Sequence, residues 1–129
     1  MLVAAIDPGP QQCGLVLAET QPAPVLCSAA TISVISVLAQ LWVWQDQDLA
    51  TVLLERPAAR GDWATAMAFG LLKSTLMSRA RIQLKEVHAA EWKPVVKAQK
   101  PERPAGLQDR HQRDAWDLLW YWLHKEARG

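Results

Sequence analysis

Short apolar runs separated by turn residues dominate the first third of the chain. Leu2–Ile6 is typical of a buried strand, and a Pro-Gly-Pro turn separates it from a second apolar run at Gly14–Ala18. Two further prolines precede a third β-favouring run at Val25–Ile32. Three strands joined by short turns are expected to form an antiparallel meander.

Helical and strand-like patterns then alternate. Ser33–Gln45 and Trp63–Arg79 carry apolar residues at helical spacing, and between them Thr51–Leu54 is a short β-favouring run that ends at Glu55. A helix between two strands is a crossover, so the Thr51–Leu54 strand should lie parallel to one of the first three.

The last part of the chain predicts one more strand and two helices. Ile82–Val87 is strand-like, and Ala89–Val96 is a short helix that Pro94 interrupts or starts. Lys97–Gly106 is expected to be a mobile loop, and Arg110–Glu126 a terminal helix. The order β-β-β-α-β-α-β-α-α predicts an α/β fold, a mixed sheet flanked by helices, in one domain spanning residues 1–129.

Four carboxylates lie where this pattern predicts burial. Asp7 ends the first strand, Glu55 ends the Thr51–Leu54 strand, and Asp114 and Asp117 share one face of a strongly apolar terminal helix. Burying an unpaired carboxylate is costly, so each acid needs a cation, a basic partner or a proton. Taken alone, Asp7 is equally well explained as a turn residue, and Glu55 as a strand-end partner of a basic residue.

The same four acids are candidates for a metal site. If the strands that end in Asp7 and Glu55 are parallel neighbours, both carboxylates emerge at one edge of the sheet, where α/β proteins place their sites. A helix that carries Asp114 and Asp117 to this edge would complete a set of oxygen ligands suited to Mg²⁺. Two such ions could hydrolyse a phosphodiester.

Charge is distributed unevenly along the chain. Residues 1–55 contain no Lys or Arg, whereas residues 56–129 contain all 14 basic residues. Such a split suggests a surface that binds a polyanion, with solvated basic helix faces as the alternative. An exposed tryptophan among these residues could stack on bases. The candidates for DNA contact are Arg56, Arg60, Trp63, Lys93, Lys97, Lys100, Arg110 and Arg113.

Several segments resemble the RuvC family of Holliday junction resolvases, nucleases of the RNase H-like superfamily. They are AIDPGPQQCGLVL, VLLERP, EWKPVVK and RDAWDLLWYWLHK, of which the first and last are the most specific. The chain departs from the family in being short and in lacking an aromatic wedge after Glu55, a role that Trp63 would have to take. We expect a compact resolvase of the kind that would suit a phage.

The resemblance implies an RNase H-like sheet of five strands and a four-carboxylate, two-metal site. Asp7, Glu55, Asp114 and Asp117 would be the catalytic metal ligands for Mg²⁺, with Mn²⁺ as a substitute, and Lys93 would lie near the scissile strand. The implied reaction is paired, symmetric cleavage of four-way DNA junctions by a homodimer, since a twofold dimer supplies two equivalent sites. The small-residue helix Trp63–Arg79 is the candidate dimer element, with packing on the sheet of its own subunit as the alternative.

Other functions stay open from the sequence alone. An RNase H-like nuclease could act on flaps or RNA–DNA hybrids, and a relative without catalysis could bind junctions. An actin-like ATPase would need a second lobe and a Gly-rich adenosine motif that 129 residues do not supply. No apolar run is long enough for a membrane span and no signal peptide is recognisable, so we expect a cytoplasmic protein without membrane contact.

Overall fold

The computed structural model describes residues 1–58, 61–79 and 81–128. Five strands form one sheet and four helices cover it, in the order that the sequence pattern predicts. The strands are β1 Leu2–Asp7, β2 Cys13–Glu19, β3 Val25–Ile32, β4 Leu49–Arg56 and β5 Gln83–His88. The helices are α1 Val34–Gln45, α2 Trp63–Met77, α3 Ala89–Gln99 and α4 Arg110–Ala127.

The sheet has the order β3-β2-β1-β4-β5. β1 and β2, and β2 and β3, pair in antiparallel fashion, which confirms the predicted meander. β4 pairs with β1 in parallel, as the crossover through α1 requires, and β5 continues the parallel part. The predicted α/β fold with a five-stranded mixed sheet is therefore confirmed, with β1 at its centre.

Helices cover both faces of this sheet. α1 and α2 pack on one face, where Leu41 and Leu72 belong to the same hydrophobic cluster as Ile6. α3 and α4 pack on the other face, where Trp92 and Leu119 belong to the core. Successive strand residues point to opposite faces, so a strand covered on both sides needs an unbroken apolar run. The continuous apolar sequences of β1, β2 and β4 follow from this arrangement.

Two boundaries differ from the sequence prediction. Pro94 neither starts nor interrupts α3, because the helix continues from Ala89 to Gln99 with Pro94 inside it. Trp92 and Val96 are buried on either side of the proline, and their packing offsets the backbone hydrogen bond that it removes. Lys97 consequently belongs to α3 and not to the following loop. Within the described ranges, no helix is long and apolar enough to span a bilayer.

Candidate functional site

Asp7 lies at the carboxyl end of the central strand. It is the last residue of β1, it pairs with Gly14 of β2, and only 8% of its surface is exposed. The turn that follows is tight, since a Cβ on Gly9 would lie 2.2 Å from the carbonyl oxygen of Gln12. Glycine is therefore required there for steric reasons, and the turn leaves Asp7 at the sheet edge.

Glu55 reaches the same edge from the neighbouring parallel strand. Ile6 pairs with Leu54, so Asp7 and Glu55 are the next positions along β1 and β4. Glu55 is 5% exposed, and its Oε2 accepts a hydrogen bond from Trp92 Nε1 at 3.0 Å. Lys93 Nζ lies 3.9 Å from Oε1 of the same carboxylate. The start of α3 thus orients Glu55 from two sides.

α4 delivers the remaining two acids. Asp109 caps the helix by accepting a hydrogen bond from Gln112 N, and Thr31 Oγ1 of β3 donates to the same carboxylate at 2.6 Å. The first turn of α4 lies directly against β2, because a Cβ on Gly14 would be 2.0 Å from the carbonyl oxygen of His111. This close approach places Asp114 near the ends of β1 and β4.

Three of the four predicted acids line one depression. This acidic cleft has a volume of about 370 Å³ and is lined by Asp7, Glu55 and Asp114. Lys93, Arg110 and His111 also line it. Arg110 Nε lies 3.8 Å from Asp114 Oδ2, and His111 Nδ1 lies 3.7 Å from Asp7 Oδ2. The cleft therefore combines clustered carboxylates with cationic side chains at its rim.

The carboxylates in the acidic cleft resist ionisation. Burial, and after it the charge of Asp114, raise the pKa of Asp7 to about 7, against the opposing charges of Lys93 and Arg110. Burial and then the charge of Asp7 raise the pKa of Glu55 to about 7, against Lys93 and the Trp92 hydrogen bond. The pKa of Asp114 is also raised, chiefly by burial. A cation bound between these groups would relieve their repulsion.

Asp117 faces a second depression. It is 2% exposed and lines a basic groove of about 570 Å³, which Asp114 and Arg110 border as well. Arg103 binds both of its oxygens, through Nε to Oδ1 at 2.9 Å and Nη2 to Oδ2 at 2.7 Å. The fourth predicted acid is thus paired with an arginine beside the acidic cleft.

The carboxylates have the donor chemistry of a divalent-metal site without its compact geometry. Among the described residues, no three His, Cys, Asp or Glu side chains converge closely enough to hold a metal ion as they stand. Oxygen donors that share a cleft and repel one another suit a hard cation such as Mg²⁺. Rotation of the side chains toward such an ion is required, and the predicted metal site stays a prediction.

The predicted DNA-contact residues divide into two groups. Lys93 and Arg110 border both depressions, and Lys97 and Lys100 line the basic groove. The other described candidates, Arg56, Trp63 and Arg113, line neither depression. Trp63, the first residue of α2, is 75% exposed. Arg60 lies outside the described residues.

The contacts of two residues in the site, Trp92 and Arg103, are absent from the sequence prediction. Trp92 is adjacent to the candidate Lys93, but no local sequence pattern shows that its indole contacts Glu55, which lies on β4. Arg103 lies in the connection between α3 and α4, and the sequence predicts it only as one of the basic residues near the acids that could hold phosphates, not as the partner of Asp117. Neither contact leaves a local signal in the sequence, because each depends on how separate elements pack.

Solved structures share this fold, although no protein-family model matches the sequence and no curated protein is significantly similar to it. One is Thermus thermophilus RuvC in complex with a Holliday junction substrate. It aligns with a TM-score of 0.75 over 100% of this chain and 96% of that chain, at 17% identity. Another T. thermophilus RuvC structure aligns with a TM-score of 0.62 over 98% and 97% of the two chains, also at 17% identity.

A viral structure extends the comparison. The fowlpox virus Holliday junction resolvase aligns with a TM-score of 0.62 over 97% of this chain and 99% of that chain, at 11% identity. At these identities the likeness concerns the fold, and it covers nearly the whole length of each chain. The fold implied by the sequence resemblance is therefore confirmed: this chain has the RNase H-like architecture found in RuvC and in a poxvirus resolvase.

Proposed function

We propose that the protein is a metal-dependent, structure-selective endodeoxyribonuclease that resolves four-way DNA junctions. The observation that carries this proposal is the acidic cleft, in which Asp7, Glu55 and Asp114 meet beside cationic side chains. The fold adds support, since structures of the same architecture are Holliday junction resolvases. An acidic cleft with a basic border suits a nuclease, because carboxylates alone would repel DNA.

The proposed cofactor is Mg²⁺, with Mn²⁺ as a substitute. Asp7, Glu55 and Asp114 would hold it, with Asp117 as a fourth carboxylate once released from Arg103. When bound, divalent ions supply Lewis-acid activation of water and of the leaving oxygen of a phosphodiester. Lys93 borders both depressions and is 51% exposed at its side chain, which suits a contact to the phosphate at the cleavage position.

DNA would bind mainly through its phosphates. Lys93, Lys97, Lys100 and Arg110 supply positive charge around the basic groove and the cleft. Backbone contacts of this kind fix the position of the duplex and make affinity fall with salt. Four further candidates from the sequence would contact the more distant arms of the DNA junction: Arg56, Trp63 and Arg113, which line neither depression, and Arg60, which lies outside the described residues.

The proposed homodimer would use the outer face of α2. Trp63, Met67, Leu71 and Met77 are exposed apolar residues along this helix. A Cβ on Gly70 would meet no atom within 4 Å, so this part of the face is open. Contiguous exposed apolar side chains are a feature of interaction surfaces. A twofold dimer would present two equivalent clefts, as paired and symmetric cleavage of a junction requires.

The test is a cleavage panel with Mg²⁺ on four-way junction, flap, RNA–DNA hybrid and linear duplex substrates. We expect the wild type to cut the junction fastest, and Asp7→Asn to reduce the rate ~10²-fold or more because a metal ligand is lost. Asp46→Asn, an exposed acid after α1, is the matched control and should cut at the wild-type rate.

Each alternative function has its own outcome in this panel. Undiminished cleavage by Asp7→Asn would show that the cleft is not the active site. A preference for flaps or hybrids would replace the proposed substrate, and tight junction binding without cleavage in Mg²⁺ or Mn²⁺ would indicate a protein that binds junctions without cutting them.

A further inference from the structure

Arg103 holds Asp117 in a bidentate ion pair. Both guanidinium contacts are shorter than 3.0 Å, at 2.9 and 2.7 Å. The Asp117 side chain is 3% exposed, whereas that of Arg103 is 42% exposed. Parallel contacts of this type are among the strongest hydrogen bonds in proteins. One buried carboxylate of the candidate site is therefore neutralised by a partly exposed arginine from a connecting segment.

The segment that carries Arg103 is fixed at both ends. Lys100, the residue that follows α3, has a left-handed backbone with φ 48°, and its N–H donates a hydrogen bond to the carbonyl of Val96. α4 begins after Asp109, which accepts hydrogen bonds from Thr31 and Gln112. Arg103 lies between these anchors, so its side chain can move without unwinding either helix.

The surroundings of Arg103 favour exchange of its partner. It lines the basic groove together with Lys93, Lys97, Lys100 and Arg110, and the groove is open to solvent. The charge of Asp114 also acts on the guanidinium and, after the Asp117 hydrogen bond, helps to raise the pKa of Arg103. A guanidinium binds phosphate in the same planar, bidentate manner as it binds carboxylate. A phosphate that enters the groove could therefore replace Asp117 as the partner of Arg103.

We propose that Arg103 is a displaceable internal counter-ion that competes with a divalent cation for Asp117. The inference rests on the proposed function, because it concerns how the metal-free form of that site is held. In this state Asp117 is satisfied by Arg103, and Asp7, Glu55 and Asp114 are the predicted ligands that line the acidic cleft. Binding of a divalent cation at all four acids requires the arginine to leave.

The test is metal binding without DNA, followed as the rise in melting temperature during titration with MgCl₂ and with MnCl₂. Arg103→Gln leaves Asp117 buried and unpaired, so we expect a lower melting temperature in EDTA and a larger rise with metal. The metal concentration at the midpoint should fall about tenfold or more below that of the wild type, since the competing cation is gone. Arg103→Lys, which cannot pair with both oxygens, should be intermediate.

Two controls separate competition from a general charge effect. Lys97→Gln removes one positive charge from the same groove without touching the Arg103–Asp117 pair, and it should leave the midpoint within about twofold of the wild type. Adding Asp117→Asn to Arg103→Gln should abolish the gain in metal affinity, because the released ligand is then absent.

An unchanged or higher midpoint for Arg103→Gln, or equal gains for Lys97→Gln, overturns the proposal. If Arg103→Gln does not fold, Arg103→Lys provides the test. A metal midpoint of Arg103→Lys equal to that of the wild type would reject the counter-ion role of Arg103. Cleavage is not the readout, so the two proposals fail separately. If the variants shift the metal midpoint as expected but the wild type cuts no DNA, the counter-ion role of Arg103 stands and the proposed nuclease activity is refuted. If the wild type cuts junctions but the variants do not shift the midpoint, the nuclease activity stands and the counter-ion role is refuted.

Discussion

Folding buries the carboxylates at the ends of β1 and β4, although their ionised forms are more stable in water. Folding raises the pKa of Asp7 from 3.8 to about 7, mainly by burial, and that of Glu55 from 4.5 to about 7. Between these values the folded chain binds more protons than the unfolded chain. The stability contributed by the protonated carboxyls is therefore complete below about pH 4 and is lost as pH rises through about 7.

This cost predicts that Asp7→Asn stabilises the metal-free protein at alkaline pH. Raising the pKa of Asp7 from 3.8 to about 7 corresponds to a cost of ~4 kcal/mol for its ionised form. Because Asp7 titrates together with Glu55 and Asp114, removing its charge alone recovers only part of this cost. We expect a gain of about 1–3 kcal/mol in the free energy of unfolding at pH 8 in EDTA, measured with urea, and a much smaller one at pH 4. A loss of stability at pH 8 would contradict this account, and Asp46→Asn is the control.

A second prediction at this scale concerns the Trp92–Glu55 hydrogen bond. Donation to the ionised carboxylate lowers the pKa of Glu55, so Trp92→Phe should raise it. Losing one such bond is equivalent to about 0.5–1 pKa unit. The acid limb of the pH profile of cleavage should therefore move to higher pH by that amount.

Trp116→Phe is the matched control for this experiment. Trp116 is also buried, but its Nε1 has no hydrogen-bond partner among the described residues. It should alter stability without moving the pH profile. Equal displacement of the profile by both variants would mean that core packing, and not the bond to Glu55, sets the pKa.

At the scale of elements, the contact between β2 and α4 determines where Asp114 lies. Gly14→Ala would place a Cβ 2.0 Å from the His111 carbonyl oxygen, and backbone atoms on both sides would have to move. We expect a loss of roughly 1–3 kcal/mol in unfolding free energy, as for other overpacked sites. Cleavage should fall as well, because α4 carries two of the acids.

Gly70→Ala provides the comparison. Its Cβ would meet no atom within 4 Å in the middle of α2, so it should stabilise the chain by about 0.5–1 kcal/mol. Wild-type stability and cleavage for Gly14→Ala would show that α4 does not depend on this close approach.

At the scale of the whole molecule, the outer face of α2 is an exposed apolar surface. Met67 is 56% exposed at its centre, between the exposed side chains of Trp63 and Leu71. If two copies meet here, Met67→Glu would bury a carboxylate in an apolar interface and should convert dimers to monomers. Sedimentation velocity measures this directly.

Ile35→Glu adds the same charge to an exposed position on α1 and should leave the dimer intact. A wild type that sediments as a monomer would exclude the proposed homodimer. A dimer that survives Met67→Glu but not Ile35→Glu would place the interface on α1.

Local patterns in the sequence determined the element order, the parallel pairing of β1 with β4, and the position of Asp7 and Glu55 at one sheet edge. Apolar periodicity and turn residues are properties of neighbouring residues, and chain-crossover rules convert them into topology. The sequence predicts that Pro94 starts or interrupts α3, but the helix continues through it, because the burial of Trp92 and Val96 in the tertiary structure offsets its local cost.

Only the tertiary structure decided how the four acids differ. Three line the acidic cleft, while Asp117 turns to Arg103, and Trp92 binds Glu55 from another element. These partners are far apart along the chain, and their pairing depends on the path between α3 and α4 and on the contact at Gly14. The sequence by itself determined which residues could form a site, and packing decided which side chain each carboxylate meets.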